Sequence, residues 1–265
     1  MHQVLKTFAV VLGVSLICSL WVTSAAVLLK DRQELNLRLD KIRHLLDLAA
    51  IPAGEDPLRA YQTYIEPWLV DLDQAQVVDP KSIGLGDLAA FSISAVARDP
   101  DLSRPISKEL DLAAIRRRPK YMPVYWVKGE RGFTRLILPV YGRGLWSTLY
   151  GYLALERDLA TVAGISFYDH RETPGLGGEV DNPRWKALWR GKQAFDAQGQ
   201  VVIEVVKGVV DLSRPQAIHQ VDGLTGATLT TRGVDRLIRY WLGPDGYGPF
   251  LETLRKRIAT EHGVG

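Results

Sequence analysis

The chain has one cysteine in 265 residues, Cys18, and it lies inside an apolar stretch. A single thiol excludes an intrachain disulfide framework and any Cys-rich zinc or iron–sulfur centre held by this chain alone. Redox chemistry here would need a bound organic cofactor. Histidine is scarce as well: His2, His44, His170, His219 and His262 form no i, i+4 pair and no HExxH pattern, so a metal site is not expected. No Ser-His-Asp or Cys-His set can be assembled, and no G-x-G-x-x-G follows a strand, so the chain is not expected to oxidise a nicotinamide itself. An excess of charge of one sign is also missing. With 33 Lys and Arg against 30 Asp and Glu, a net +3, and no dense basic cluster, nucleic acid is not an expected partner.

What the chain does have is a long apolar run. From Thr7 to Leu29, 23 residues carry no charge, and at about 1.5 Å per helical residue they cross a hydrocarbon core of ~30 Å with some tilt. A cleaved signal peptide is the alternative, since Thr23-Ser24-Ala25 resembles a cleavage site, but signal h-regions run to only about 7–15 residues. A retained membrane anchor is therefore the expectation. Ile17 stands before Cys18 where a lipoprotein signal wants a small residue, so lipidation is not expected. Lys6 precedes the run, whereas Lys30, Arg32, Arg38, Lys41 and Arg43 follow it. A positive-inside count would keep the following domain in the cytoplasm, yet long domains translocate largely regardless of flanking charge, so the side stays open on this ground.

Leu35, Leu39, Ile42 and Leu46 are spaced as one helical face and predict a stalk that continues the membrane helix. Pro52, Gly54 and Pro57 break it. Short apolar runs with Pro-containing connections follow to about Pro123, and beyond them Pro123 to Val127, Phe133 to Val140, Thr148 to Leu155 and Val201 to Val206 read as strands of one mainly antiparallel sheet. Val234, Leu237, Ile238, Trp241 and Leu242 recur at helical spacing before the stop at Gly243-Pro244, and a last helix carries Phe250, Leu251, Leu254 and Ile258. The expected fold class is α+β: an anchor over 1–30, a helical stalk over 31–50, an N-terminal part or insertion over 51–122, and the main domain over 123–265.

The segment Asp222-Gly223-Leu224-Thr225-Gly226-Ala227-Thr228 lies where a turn meets a helix. Thr225, Thr228, Thr230 or Thr231 could each be an ordinary N-cap, worth about 1 kcal/mol, and Asp222-Gly223 an ordinary turn pair. The other reading starts from Gly226 and Ala227, which leave the Thr228 hydroxyl unobstructed, so that a phosphate attached there could meet free N–H groups at the helix start. Leu145, Trp146 and Leu149 read by themselves as strand core, Thr173 to Gly178 as a Pro-Gly turn, and Lys207 as a solvated charge at a strand end.

Asp222 to Thr228 resembles the Asp-x-x-(Ser/Thr)-Gly-Ala-Thr motif at which a flavin transferase esterifies FMN to the last threonine, here Thr228. Gly144 to Leu155, Glu172 to Glu179 and Ile65 to Asp71 are similar, in order, to segments of the covalent-FMN-binding family represented by the C-type subunit of the Na+-translocating NADH:quinone reductase. The resemblance implies covalent, phosphoester-linked FMN on Thr228, with Asp222, Thr225, Gly226 and Ala227 completing the motif. Leu145 and Trp146 would wall the isoalloxazine, and Thr173, Gly175 and Leu176 would form a second pocket loop; by its charge, and not by the resemblance, Lys207 would stabilise an anionic reduced or semiquinone flavin. It further implies an electron-relay subunit in the bacterial inner membrane with its soluble domain periplasmic. Its partners would be the flavin transferase and the other subunits, which oxidise NADH, pass electrons through an iron centre and a second flavin, and reduce quinone. The G-type subunit of the Rnf-type ferredoxin:NAD complex shares the anchor, the fold and the flavinylated threonine, but usually lacks the longer region before Tyr121. Ile65 to Asp71, Trp146 to Tyr150 and Gly177-Gly178 favour the quinone-reductase subunit over it. A reading of another class is a non-redox docking or sensor module.

Overall fold

The computed structural model describes residues 2–84, 88, 91–130 and 132–262, and the chain divides into two compact units, Met1–Lys41 and Ile42–Gly265. In the first unit the helix α1 (His2–Leu48) starts and runs without a break through the uncharged stretch. Its 47 residues correspond to roughly 70 Å of helix. It is the one helix among the described residues long and apolar enough to cross a membrane, and side chains such as Phe8, Leu16 and Trp21 are exposed along it. In water that surface would carry a large hydrophobic penalty, and a bilayer removes it.

The second unit begins with the last turns of α1, where Ile42, Leu45, Leu46 and Leu48 are buried. The chain continues through α2 (Pro57–Tyr64), β1 (Ile65–Asp71), β2 (Gln76–Val78), α3 (Ile93–Arg98), β3 (Ser103–Pro105), β4 (Arg117–Pro119) and β5 (Tyr121–Gly129). After these come β6 (Gly132–Arg143), β7 (Thr148–Glu156), β8 (Val162–Asp169), α4 (Pro183–Ala187), β9 (Glu204–Val205), β10 (Gln220–Val221), α5 (Thr228–Leu242) and α6 (Gly248–His262). Six strands form an antiparallel sheet in the order β2-β1-β5-β6-β7-β8. The α+β class read from the sequence is therefore the observed one.

Strand alternation explains the two layers. Along β6, Leu136, Leu138 and Val140 point into a cluster with Leu237, Ile238 and Trp241 of α5, whereas Ile137 between them joins Leu45, Leu46, Tyr125 and Tyr152 on the opposite face. Both faces are apolar because both are covered, one by α5 and α6, the other by the end of α1 and α2. Each fully buried Leu or Ile side chain contributes about 1.5–3 kcal/mol. The polar tips of two large aromatics are satisfied inside this core: Trp241 Nε1 donates to the Tyr141 carbonyl (2.7 Å) and the Tyr247 hydroxyl to the Pro139 carbonyl (2.8 Å).

One expectation changes. Val201 to Val206 is not a strand of the main sheet; only Glu204–Val205 is extended, pairing in parallel with Gln220–Val221 in a separate two-stranded ribbon. Val201 instead bridges back to Phe195 across the turn at Asp196, whose carboxylate takes the N–H groups of Gln198 and Gln200, so the apolar run is split between two local pairings. Before Tyr121, β1 pairs with β5 from Ile65↔Val127 to Asp71↔Tyr121 and carries β2 at the sheet edge.

Candidate functional site

Three segments meet at the start of α5: the β6–β7 turn, the loop after β8 and the turn that enters the helix. Their meeting point is Glu172, only 5% exposed although it is an acid on a loop. Its carboxylate accepts the backbone N–H groups of Leu145 (3.3 Å), Trp146 (2.9 Å) and Ser147 (3.3 Å) and the Thr230 hydroxyl of α5 (2.6 Å). Burial alone would raise the Glu172 pKa, but the hydroxyl and the three N–H groups hold it below the ordinary carboxylate value. The loop is anchored at its base as well, since the Glu172 N–H donates to His170 Nδ1 and His170 Nε2 pairs with Asp181.

Glycines allow the close approach. A Cβ on Gly177 would lie 2.5 Å from Thr230 Oγ1, and one on Gly233 would lie 2.5 Å from the Arg143 carbonyl oxygen. Helix α5 therefore packs against both neighbours at a distance only glycine permits. Gly226 has a φ of 74°, a left-handed conformation, and faces Leu176 Cδ2 at 3.0 Å from its would-be Cβ.

None of the four threonines is the N-cap. That position is Ala227, which offers no side-chain cap bond. The reason is that Thr230 is committed to Glu172 and Thr231 Oγ1 accepts the Leu224 N–H (3.0 Å), while Thr228 is already the first helical residue and is exposed. The first N–H groups of α5 thus have no intrahelical partner and no side-chain cap, a local arrangement suited to a phosphoryl group.

The structure brings most of the sequence-derived residues together. Leu145 and Trp146, 38% and 64% exposed, stand on the turn that Glu172 clamps. Thr173, Gly175 and Leu176 form the loop beside Gly226, where the Thr173 carbonyl accepts the N–H groups of Leu176 and Gly178. Asp222 holds the entry turn: Oδ1 accepts the Val210 N–H and its carbonyl accepts Trp185 Nε1, both at 2.8 Å. Thr225 is exposed on the turn between Leu224 and Gly226. Lys207 is exposed on the adjoining segment, where Val206 N–H donates to the Val221 carbonyl and Gly223 N–H to the Gly208 carbonyl. Sequence reasoning missed Glu172 and Thr230 as the residues that join these pieces.

A helix whose uncapped start carries an exposed threonine, flanked by two glycine-bearing loops with exposed Trp146 and Leu176, suits a flavin phosphate and its flat ring. Residues 144–243 match the FMN-binding domain family. The chain is 48% identical over 255 residues to the NqrC subunit of the Na(+)-translocating NADH-quinone reductase of Pseudomonas aeruginosa, covering 95% of this chain and 96% of that one. It is 43% identical to the corresponding subunit of Yersinia pestis over 95% of this chain and 93% of that one. Among solved structures, the crystal structure of Shewanella oneidensis NqrC is similar with a TM-score of 0.76 and 34% identity, over 84% of this chain and 99% of that one. The chain belongs to the NqrC family, the C-type subunits of the Na+-translocating NADH:quinone reductase.

Proposed function

We propose that the chain is an electron-relay subunit of a Na+-translocating NADH:quinone reductase and carries FMN as a phosphoester on Thr228. The observation that carries the reading is the exposed Thr228 at the uncapped start of α5, the last residue of the flavinylation motif. FMN supplies the one- and two-electron chemistry that no side chain here can supply. Thr228 would provide the alcohol oxygen that attacks the FMN phosphorus of an activated donor, a flavin dinucleotide; the pyrophosphate bond breaks, the nucleoside monophosphate leaves with the hydroxyl proton passing to a base of the flavin transferase, and the chain gains the mass of one FMN less one water. The helix N-terminus would hold the phosphate, Trp146 and Leu176 would offer apolar faces to the isoalloxazine, and Lys207 would offer a cation to a reduced, anionic ring. Glu172 and Thr230 fix the relative position of the two loops and the helix. In this reading residues 1–30 anchor the chain in the inner membrane and 123–265 form the FMN-binding domain, and the other subunits of the complex deliver and accept the electrons.

The test is the intact mass of the full chain coexpressed with the transferase. A gain of one FMN less one water, together with ultraviolet fluorescence of the denatured band, is expected, and an unmodified mass would overturn the reading.

Two further outcomes are expected. Trp146→Ala and Leu176→Ala should each keep the mass gain, because neither side chain touches the Thr228 hydroxyl chemistry, but should shift the flavin absorption or midpoint potential. Spectra and potentials equal to those of the parent in both variants would count against the placement of the ring. For topology, alkaline phosphatase fused after Gly265 should be active and a fluorescent protein that matures only in the cytoplasm should be dark. A unit of more than two hundred residues, Ile42–Gly265, can override the modest charge bias around the helix. The reverse pattern in cells whose chain is still flavinylated would refute the periplasmic orientation.

A further inference from the structure

Away from the α5 start, a groove of about 1040 Å³ opens between α3, the loop that leads into β4, and the ends of β6 and β7. Its charge is one-sided. Arg98 comes from α3, Lys108, Arg116 and Arg117 from the loop and β4, and Arg143 from β6, against one acid, Asp111. That acid is occupied locally: its two carboxylate oxygens accept the N–H groups of Ile115 (2.9 Å) and Arg116 (2.8 Å). Arg117 is also spent, donating to the Ser103 hydroxyl and carbonyl. Arg98 gives its Nε to the Ser94 carbonyl (2.9 Å), which leaves its terminal nitrogens available, and Arg98, Lys108, Arg116 and Arg143 make no ion pair among the described residues and are all exposed.

The groove is held in shape rather than left loose. Ala114 and Arg116 both adopt left-handed backbone, φ 53° and 65°, which costs each non-glycine residue about 1 kcal/mol or more. The Asp111 bonds keep them there. The floor is rigid too, since Tyr141 and Tyr150 are cross-strand partners whose rings stack at 5.5 Å and 16°. Arg143 is fixed through its backbone, where its N–H donates to the Ala113 carbonyl (2.8 Å).

We propose that this groove is a docking surface for an acidic, Asp- and Glu-bearing segment of a sister subunit, an inference that rests on reading the chain as part of a multisubunit reductase. Three features select that occupant. Arginines without an acidic partner on a preformed surface match carboxylates in bidentate geometry, and arginine is enriched at protein interfaces. Leu110 and Leu112 do not line the groove but flank its Asp111 in the chain, are 55% and 49% exposed, and give apolar anchors beside it that a free inorganic anion would not use. The volume lies just above the range for small-ligand pockets, about 300–1,000 Å³, and suits a stretch of chain better than a single ion. The groove also adjoins the flavin site. Arg143 is followed by Gly144 and the turn that Glu172 clamps, and its carbonyl abuts Gly233 of α5, so a docked segment would border the proposed site through one strand end.

The experiment uses the whole complex, purified from membranes through a tag on this chain. The parent is compared with the triple variant Arg98→Glu, Lys108→Glu, Arg116→Glu, at low salt and at ~1 M KCl, where the Debye length falls to about 3 Å. The parent should retain its sister subunits at low salt and lose part of them at high salt; the triple variant should retain at least about tenfold less even at low salt. A photoreactive amino acid in place of Leu112, in an otherwise native chain, should crosslink to a sister subunit at a peptide rich in Asp and Glu. The melting temperature and the flavin mass gain of the triple variant should stay at the parent's values, and the photocrosslink decides the matter if that variant does not fold. Equal retention by parent and triple variant would overturn the proposal, and so would a crosslink to a neutral peptide or to lipid. Charge-dependent binding of the chain to phosphatidylglycerol vesicles, with no loss of sister subunits, would assign the groove to a membrane surface instead. Failure of the parent itself to copurify with any sister subunit would refute the multisubunit reading, a result distinct from loss in the variant alone.

Discussion

Thr228→Ala, coexpressed with the flavin transferase, should give a chain of unmodified intact mass and a denatured band without fluorescence. The effect should be all or none, because the neighbouring hydroxyls cannot substitute. Thr230 and Thr231 are buried and committed, the first donating to Glu172 and the second accepting the Leu224 N–H. Thr225 is exposed but precedes the helix, away from the N–H groups that would receive the phosphate. The fold should not suffer. Thr228 is exposed, and alanine is the better helix former, so stability should change by no more than about 0.5 kcal/mol. Thr228→Ser, which keeps an oxygen at the same place, should recover part of the mass gain. Full flavinylation of Thr228→Ala, read by intact mass, would sink the assignment.

The parts of the fold that could be read from the chain are those whose pattern is local. Helix α5 was legible because Val234 to Leu242 repeat at helical spacing with Gly243 behind them, and the structure ends the helix there. Strands β5, β6 and β7 were legible because their apolar runs are bounded by charges and turns. The run at Val201 misled because β-branched composition does not say which partner a strand finds, and here Phe195 and Val221 lie closer than the main sheet. Ile42 and Leu46 were visible as part of the helical face of a stalk, but that face did not reveal that the two are buried against Tyr125 and Tyr152 while Leu35 of the same face is exposed. At the start of α5, the motif singles out Thr228 for the proposed linkage, but the N-cap could not be read from the sequence. Hydroxyls near a helix start look alike in sequence, and only tertiary partners for Thr230 and Thr231 left the cap to Ala227. Glu172 was hidden for a similar reason. Glutamate is mostly exposed, and its partners are backbone groups 25 to 27 residues away plus one hydroxyl 58 away. The signal that could have found it is an acid beside Thr-Pro-Gly-Leu-Gly-Gly, where glycines leave room for a buried carboxylate.

Removing that carboxylate tests how the site is held. Glu172→Ala leaves three backbone N–H groups and the Thr230 hydroxyl without their acceptor. Hydrogen bonds to a charged group contribute about 1.5–3 kcal/mol each, and their effects on a shared acceptor are not additive, so a loss of about 3 kcal/mol in all is expected. Glu172→Gln should lose less, because the amide oxygen can still accept from the turn and the Thr230 hydroxyl can rotate to accept from the amide nitrogen. The difference between parent and Glu172→Gln should depend on pH. The folded pKa lies below the ordinary value of 4.5, so the charged form's advantage is fully present above that value and is lost as pH falls through the folded pKa. Melting curves of the detergent-solubilised chain from neutral pH down to about pH 3 would measure it. A parent-to-Gln gap that stays constant across that range, or that widens in acid, would show that Glu172 does not act as a charged clamp between the β6–β7 turn and α5.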